Sequence, residues 1–153
     1  MEEIRWTKNP FKQIHPSIIP AFNKDSINKV HRFHQTIPNY TPSPFIALTN
    51  LAKYLGLQNI FVKDESSRFG IQSFKGLGSS YAIAHHLSKE WGQPISSFQD
   101  LQKKIHSQKP LTFATATDGN HGRGLAWAAK QLGQNAVVYM PKGSSLYRLN
   151  KIK

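Results

Sequence analysis

The sequence predicts an α/β fold in which a parallel sheet is joined by helices. The main observation is a strand, helix, strand order near the end of the chain, where "LTFATAT" and "NAVVYMP" are rich in β-forming residues. A helical pattern that closes at Gly133 lies between them. The second observation is size, since 153 residues with 39% hydrophobic content are enough for one core. Strands joined in this way are normally parallel.

The elements before this unit are shorter. Residues 1–25 carry Pro10, Pro16 and Pro20 among scattered aromatic residues, which is typical of an extended arm. "DSINKVHRFHQTI" predicts a helix capped by Asp25 or Ser26. A second helix with the spacing i, i+3, i+4, i+7 is predicted before Gly56, and its apolar face comprises Leu48, Leu51, Ala52 and Leu55.

The middle of the chain predicts one more strand and one more helix. The strand covers residues 60–62, and the helix runs from Leu77 to Leu87. The following segment, "WGQPISSFQDLQKKIHSQKP", reads as a polar connector with a single helical turn. After the βαβ unit, "PKGSSLYRLNKIK" predicts the opening of a last helix.

Composition excludes several classes of site. The chain has no cysteine, which removes disulfides, cysteine-based zinc sites and thiol nucleophiles. No stretch has the roughly 18 consecutive apolar residues of a membrane span, and the start "MEEIRWTKNPFKQ" lacks the apolar run of a secretion signal. We therefore expect a cytoplasmic protein without a membrane partner.

The charge balance leaves a second function class open. Twenty Lys and Arg against eight Asp and Glu give a formal net charge of +12, which permits binding to nucleic acid. The basic residues are spread along the chain, and no nucleic-acid motif surrounds them. A basic nucleic-acid-binding module is thus an alternative, and a site for a small anionic cofactor is favoured over it.

The stretch "SFKGLG" places a lysine between a loop and a helix. Lys75 alone would be interpreted as a solvated cation, but Phe74 precedes it and small residues follow it, namely Gly76, Gly78, Ser79 and Ser80. Small residues let a planar group approach the backbone, and partial desolvation favours the neutral amine that a Schiff-base nucleophile needs. Lys75 is therefore a candidate for imine chemistry.

The stretch "TATDGNHGRG" joins a predicted strand to a predicted helix. Asn120 lies among glycines 119, 122 and 124, and the free N–H groups of such a turn suit an anion or a polar ring substituent. The glycine order is G-x-x-G-x-G, which is not the dinucleotide-binding pattern. The alternative is that Asp118 and His121 serve only as cap and turn residues.

Histidines provide the remaining candidates for a metal site. His31 and His34 lie one helical turn apart, and His85 and His86 are adjacent. No carboxylate lies at the spacing of a helical zinc motif, so packing or surface roles are favoured and no metal is predicted.

Two long stretches resemble a known family. "VKDESSRFGIQSFKGLG" is similar to the lysine segment of the fold-type II pyridoxal-phosphate (PLP) enzymes, the group of tryptophan synthase β and threonine dehydratase. "TATDGNHGRGLAWAAKQLGQNAVVYMPKGS" is similar to their asparagine loop and the βαβ unit after it. The resemblance covers about residues 27–153. It implies that residues 26–92 are the N-terminal part of the large PLP domain and that residues 93–153 begin the small parallel-sheet domain.

Within this group the motifs most resemble those of the diaminopropionate ammonia-lyases. Asp118 stands before "GNH", where hydroxy-amino-acid dehydratases have a small residue. The resemblance implies that Lys75 forms the Schiff base with pyridoxal 5'-phosphate, that Phe74 lies beside its ring and that Asn120 bonds the ring's 3′-oxygen. It also implies that Asp118 is a second acid/base group, on the side of the substrate Cα opposite Lys75.

The implied reaction is α,β-elimination of 2,3-diaminopropionate to pyruvate and ammonia, in amino-acid catabolism. A serine/threonine dehydratase-like lyase is the alternative within the group. Members of the group are longer, and their phosphate-binding loop comes later in the sequence. We therefore expect an N-terminal fragment, inactive alone, of a parent enzyme that is a homodimer.

Overall fold

The computed structural model describes residues 22–117 and 119–152, and the elements follow the predicted α/β order. These elements are α1 (Lys24–Gln35), β1 (Phe45–Ala47), α2 (Thr49–Tyr54), β2 (Phe61–Lys63), α3 (Lys75–Glu90), α4 (Phe98–His106), β3 (Thr112–Ala116), α5 (Asn120–Gln131), β4 (Asn135–Tyr139) and α6 (Leu146–Ile152). A 3-10 turn at Arg68–Gly70 precedes α3. No helix among the described residues is long and apolar enough to cross a membrane.

Helix α1 begins earlier than the sequence pattern indicated. Its N-cap is Asn23, whose Oδ1 accepts a hydrogen bond of 2.8 Å from the backbone N–H of Ser26. The prediction of Asp25 or Ser26 as the cap is therefore wrong, because Asn23 supplies the oxygen that the first turn needs. Asp25 lies inside that turn, where a negative charge is favourable. Residues 1–21 of the predicted arm lie outside the described residues, and Lys24 and Asp25 at its end belong to α1.

The described residues form two separate two-stranded sheets. Strands β3 and β4 pair in parallel from Thr112 opposite Asn135 to Ala116 opposite Tyr139, which confirms the predicted βαβ unit. Strands β1 and β2 pair antiparallel over three residues each. The pattern did not predict β1, since three apolar residues are too short a run to indicate a strand.

The core lies between helices. Side chains from α1, α3, α4 and α5 and from the C-cap residue after α5 contribute to it, and they include Phe33, Ile83, Leu87, Phe98, Leu101, Ile105, Ala128 and Leu132. The connector predicted to hold a single helical turn contains α4, a nine-residue helix, so that prediction is wrong. Ser97 caps α4 by accepting the N–H of Asp100 at 3.0 Å. Its three buried side chains follow the spacing i, i+3, i+7, a signal masked by the polar residues between them.

Candidate active site

Lys75 is the first residue of α3 and is half-buried. Its backbone N–H donates to the Ser73 hydroxyl at 3.2 Å, which ties the helix start to the preceding loop. Its Nζ lies 4.5 Å from the centroid of the Phe74 ring, and that ring is 53% exposed. Within the described part of the chain, no carboxylate lies within ion-pair distance of this amine. The amine therefore lies next to an exposed aromatic face.

The loop before Lys75 is held by a buried ion pair. Arg68 Nε donates to Glu65 Oε2 at 2.8 Å, and Arg68 Nη1 donates to the Thr41 carbonyl at 2.6 Å. The Glu65 carboxylate also accepts a hydrogen bond from the Ser43 hydroxyl. The hydrogen bond from Arg68 is the main cause that holds the pKa of Glu65 below its usual value. These two residues of the "KDESSRFG" motif thus hold the loop that leads to Lys75, a role that the sequence did not reveal.

An aromatic stack joins this loop to α5. The rings of Phe69 and Trp127 lie 4.5 Å apart at an angle of 14°. Phe69 adopts φ 51° and Gln72 adopts φ 53°, a left-handed backbone that is strained for residues other than glycine. The stack offsets part of this strain, because a well-placed aromatic pair contributes about 0.5–1.5 kcal/mol beyond its burial.

Two glycines allow α3 and α5 to pack closely, one against backbone atoms and the other against a side chain. A Cβ at Gly124 of α5 would lie 2.6 Å from the carbonyl carbon of Lys75, closer than real Cβ atoms approach. A Cβ at Gly76 of α3 would lie 3.0 Å from Cε3 of Trp127. The two sequence motifs therefore meet at the first turn of α3, and neither glycine can be replaced without displacement.

Asn120 is the first residue of α5 and is exposed. The turn before it is held by the N–H of Gly119, which donates to the Thr117 hydroxyl at 3.3 Å. A cavity of about 350 Å³ opens here, and it is lined by Gly119, Asn120, Arg123, Tyr147, Arg148 and Lys151. Asp118, the predicted second acid/base group, lies outside the described residues.

His34 packs against α3, whereas the His86 side chain is 72% exposed and lies 3.4 Å from Glu90. His34 Nε2 lies 3.0 Å from the carbonyl oxygen of Leu77, and its ring meets that of Tyr81 edge-on at 6.1 Å. Burial is the main cause that lowers the pKa of His34 below 6.5. Among residues 22–117 and 119–152, no group of three or more His, Asp or Glu side chains could hold a metal ion.

The chain is similar to known proteins in both sequence and structure. The family model for pyridoxal-phosphate-dependent enzymes matches residues 37–153. Diaminopropionate ammonia-lyase of Escherichia coli K12 is 50% identical over 135 residues, which are 87% of this chain and 33% of the lyase. L-threonine dehydratase of Staphylococcus aureus is 44% identical over 100 residues, which are 60% of this chain and 23% of the dehydratase.

Solved structures give the same result. The E. coli ammonia-lyase in apo form matches with a TM-score of 0.79 and 50% identity, over 87% of this chain and 36% of that structure. The same enzyme in complex with D-serine matches with a TM-score of 0.79. The fold-type II prediction is thereby confirmed, and the chain spans about a third of the length of these relatives. The chain belongs to the family of pyridoxal-phosphate-dependent enzymes.

Proposed function

We propose that this chain carries the lysine segment and the asparagine loop of a lyase that acts on 2,3-diaminopropionate. The reaction takes one water and gives pyruvate and two molecules of ammonia. The 50% identity to an ammonia-lyase over 87% of the chain is the observation that carries the proposal. Since the chain spans a third of that enzyme, activity and substrate belong to the protein as a whole.

The described residues suit the ring of pyridoxal phosphate. Lys75 offers an amine that has no acidic partner among residues 22–117 and 119–152, and Phe74 offers an exposed aromatic face next to it. Asn120 offers an exposed amide at the start of the helix that packs on Lys75. The amine suits the aldehyde of this group, and the amide suits its 3′-oxygen. When bound, the cofactor supplies the electron sink for the carbanion at Cα.

The four side chains have different roles in this reaction. Lys75 holds the cofactor through its amine and, when released, moves the Cα proton on its own side of the substrate. Asp118 moves the proton on the opposite side, so that both enantiomers of the substrate are accepted. Asn120 would hydrogen-bond the 3′-oxygen of the ring, and Phe74 would lie beside the ring.

The setting of the enzyme is part of the proposal. We assign residues 26–92 to the large PLP domain and residues 93–153 to the start of the small domain. The assembly is a homodimer, it acts in amino-acid catabolism, and neither nucleic acid nor a membrane is a partner. We also propose that the enzyme acts in the cytoplasm.

A hybrid protein tests this function. This chain replaces the matching third of E. coli diaminopropionate ammonia-lyase, and pyruvate release is measured with D- and L-2,3-diaminopropionate. We expect activity on both isomers and its loss in Lys75→Ala. Asp118→Asn should impair the two isomers unequally, because only one of them presents its proton to that side. Undiminished activity in Lys75→Ala would refute the role of the lysine.

A dehydratase is the second candidate, because the S. aureus threonine dehydratase is 44% identical over 100 residues. The same hybrid is assayed with L-serine and L-threonine. A higher kcat/KM on either hydroxy amino acid than on diaminopropionate would favour the dehydratase.

A further inference from the structure

Helix α5 comes close to the peptide group of Lys75 at Gly124. A Cβ there would lie 2.6 Å from the carbonyl carbon of Lys75, 2.8 Å from its oxygen and 2.9 Å from the N atom of Gly76. All three atoms belong to the backbone, so no side-chain rotation can relieve the overlap. The absence of a side chain at residue 124 therefore sets how closely α5 approaches the start of α3.

This contact lies one helical turn from Asn120. Residues 120 and 124 are four apart on α5, so their Cα atoms share a face and are about 6 Å apart along the axis. Lys75 is the first residue of α3, and Asn120 is the first residue of α5. The point where the two helices touch thus sets the position of the Lys75 backbone relative to Asn120.

A second contact at the same interface involves a glycine of α3. Gly76 faces Trp127 of α5, where a Cβ would lie 3.0 Å from Cε3 and 3.2 Å from Cζ3. Trp127 is held in turn by its stack on Phe69. Each helix therefore presents a glycine to the other within a single turn, and the two contacts resist sliding of one helix along the other.

We propose that Gly124 is a positioning residue, which keeps Lys75 in register with Asn120 so that one cofactor ring meets the amine and the amide together. The inference rests on the proposed function, in which those two residues hold the same ring. Gly76 and Trp127 support the register from the opposite side.

The expected effect follows from the overlap. Carbon atoms pack at about 3.5–4.0 Å, so a methyl group at residue 124 pushes the two backbones apart by about 1 Å. A misplacement of about 1 Å can cost about 100-fold in rate when it separates groups that must act together. Gly124→Ala should therefore lower kcat about 100-fold, weaken pyridoxal-phosphate binding and shift the visible absorbance band of the bound cofactor.

The control is Gly133→Ala, at the far end of α5. Gly133 has φ 65°, and the only nearby atoms described around its Cβ belong to the His106 ring, at 3.4 and 3.9 Å. Alanine there strains the left-handed backbone and destabilises the fold, but it does not approach Lys75. This variant lowers the unfolding temperature while leaving cofactor affinity and absorbance unchanged, which separates positioning from loss of stability.

The experiment uses the hybrid protein and measures cofactor affinity, the absorbance spectrum and thermal unfolding for each variant. If Gly124→Ala does not fold, Gly76→Ala replaces it, because its overlap is with a side chain, and a smaller change in the same direction is expected. Unchanged affinity and spectrum in the folded variant, or equal losses in Gly133→Ala, would overturn the inference. A parent hybrid without a cofactor band would instead refute the proposed function and, with it, this inference.

Discussion

The buried ion pair before Lys75 gives the sharpest prediction about stability. Glu65→Gln removes the negative partner of Arg68, whose side chain is only 5% exposed, while that of Glu65 is 18% exposed. Breaking a buried pair costs about 3–5 kcal/mol, because the remaining charge is left without compensation. Glutamine keeps one acceptor oxygen, so we expect a loss near the low end, about 3 kcal/mol. For a chain of this size that corresponds to a fall of about 6–12 °C in unfolding temperature.

The effect has a defined pH dependence. The pKa of Glu65 is held below 4.5 chiefly by the hydrogen bond from Arg68, so the folded state binds its proton less readily than the unfolded state. The stabilisation is therefore fully present above about pH 4.5 and is lost as the pH falls through the folded-state pKa. The difference in unfolding free energy between the wild type and Glu65→Gln should shrink over that range.

The assay is urea unfolding at pH 7 and at several lower pH values, with Glu90→Gln as the control. Glu90 pairs with His86 at 3.4 Å, but the two side chains are 59% and 72% exposed, and exposed pairs contribute about 0–1 kcal/mol. A loss at pH 7 no larger for Glu65→Gln than for Glu90→Gln would contradict the structural role of the Glu65–Arg68 pair.

Two further predictions concern other parts of the core. The pKa of His34 is lowered below 6.5, chiefly by burial, so unfolding takes up a proton and stability should fall as the pH decreases from about 6.5 towards the folded-state pKa. His34→Gln should flatten the dependence of the unfolding free energy on pH in this range. An unchanged slope would contradict the assignment of this dependence to His34. Phe98→Ala should cost about 3–5 kcal/mol in urea unfolding, because Phe98 is 0% exposed. Phe22→Ala, at a residue that is 67% exposed, should stay within about 0.5 kcal/mol, and equal losses would show that Phe98 is not a core residue.

Local sequence patterns predicted the helices and strands at which the apolar spacing and a terminating glycine indicated the same element. The second helix carries an apolar face and ends before Gly56, and the structure gives α2 with Gly56 at φ 66°. The βαβ unit carries two β-rich runs and Gly133, and its strands are parallel. Helix α4 was underestimated because polar residues separate its three buried side chains. Strand β1 has only three residues and depends on its partner β2, which no local pattern reports.

Some features of the candidate site could be predicted from sequence motifs, and others could not. Lys75 and Asn120 stand in motifs that can be read directly, and the structure places each of them at the first residue of a helix. The contact between Gly124 and the backbone of Lys75 joins residues 49 positions apart. Such long-range packing depends on how two helices meet, and a single sequence does not specify it. Glu65 and Trp127 also act through contacts with other side chains, which only the folded structure shows.

The central claim is that Lys75 is the residue to which the cofactor is attached. The most direct measurement incubates the hybrid protein with pyridoxal phosphate, reduces it with borohydride and maps the modified peptide by mass spectrometry. The modification should be found on Lys75, at one per chain, although Lys63 and the other lysines of this basic chain are also available. Modification spread over several lysines, or found on another lysine with Lys75 unmodified, would contradict the account.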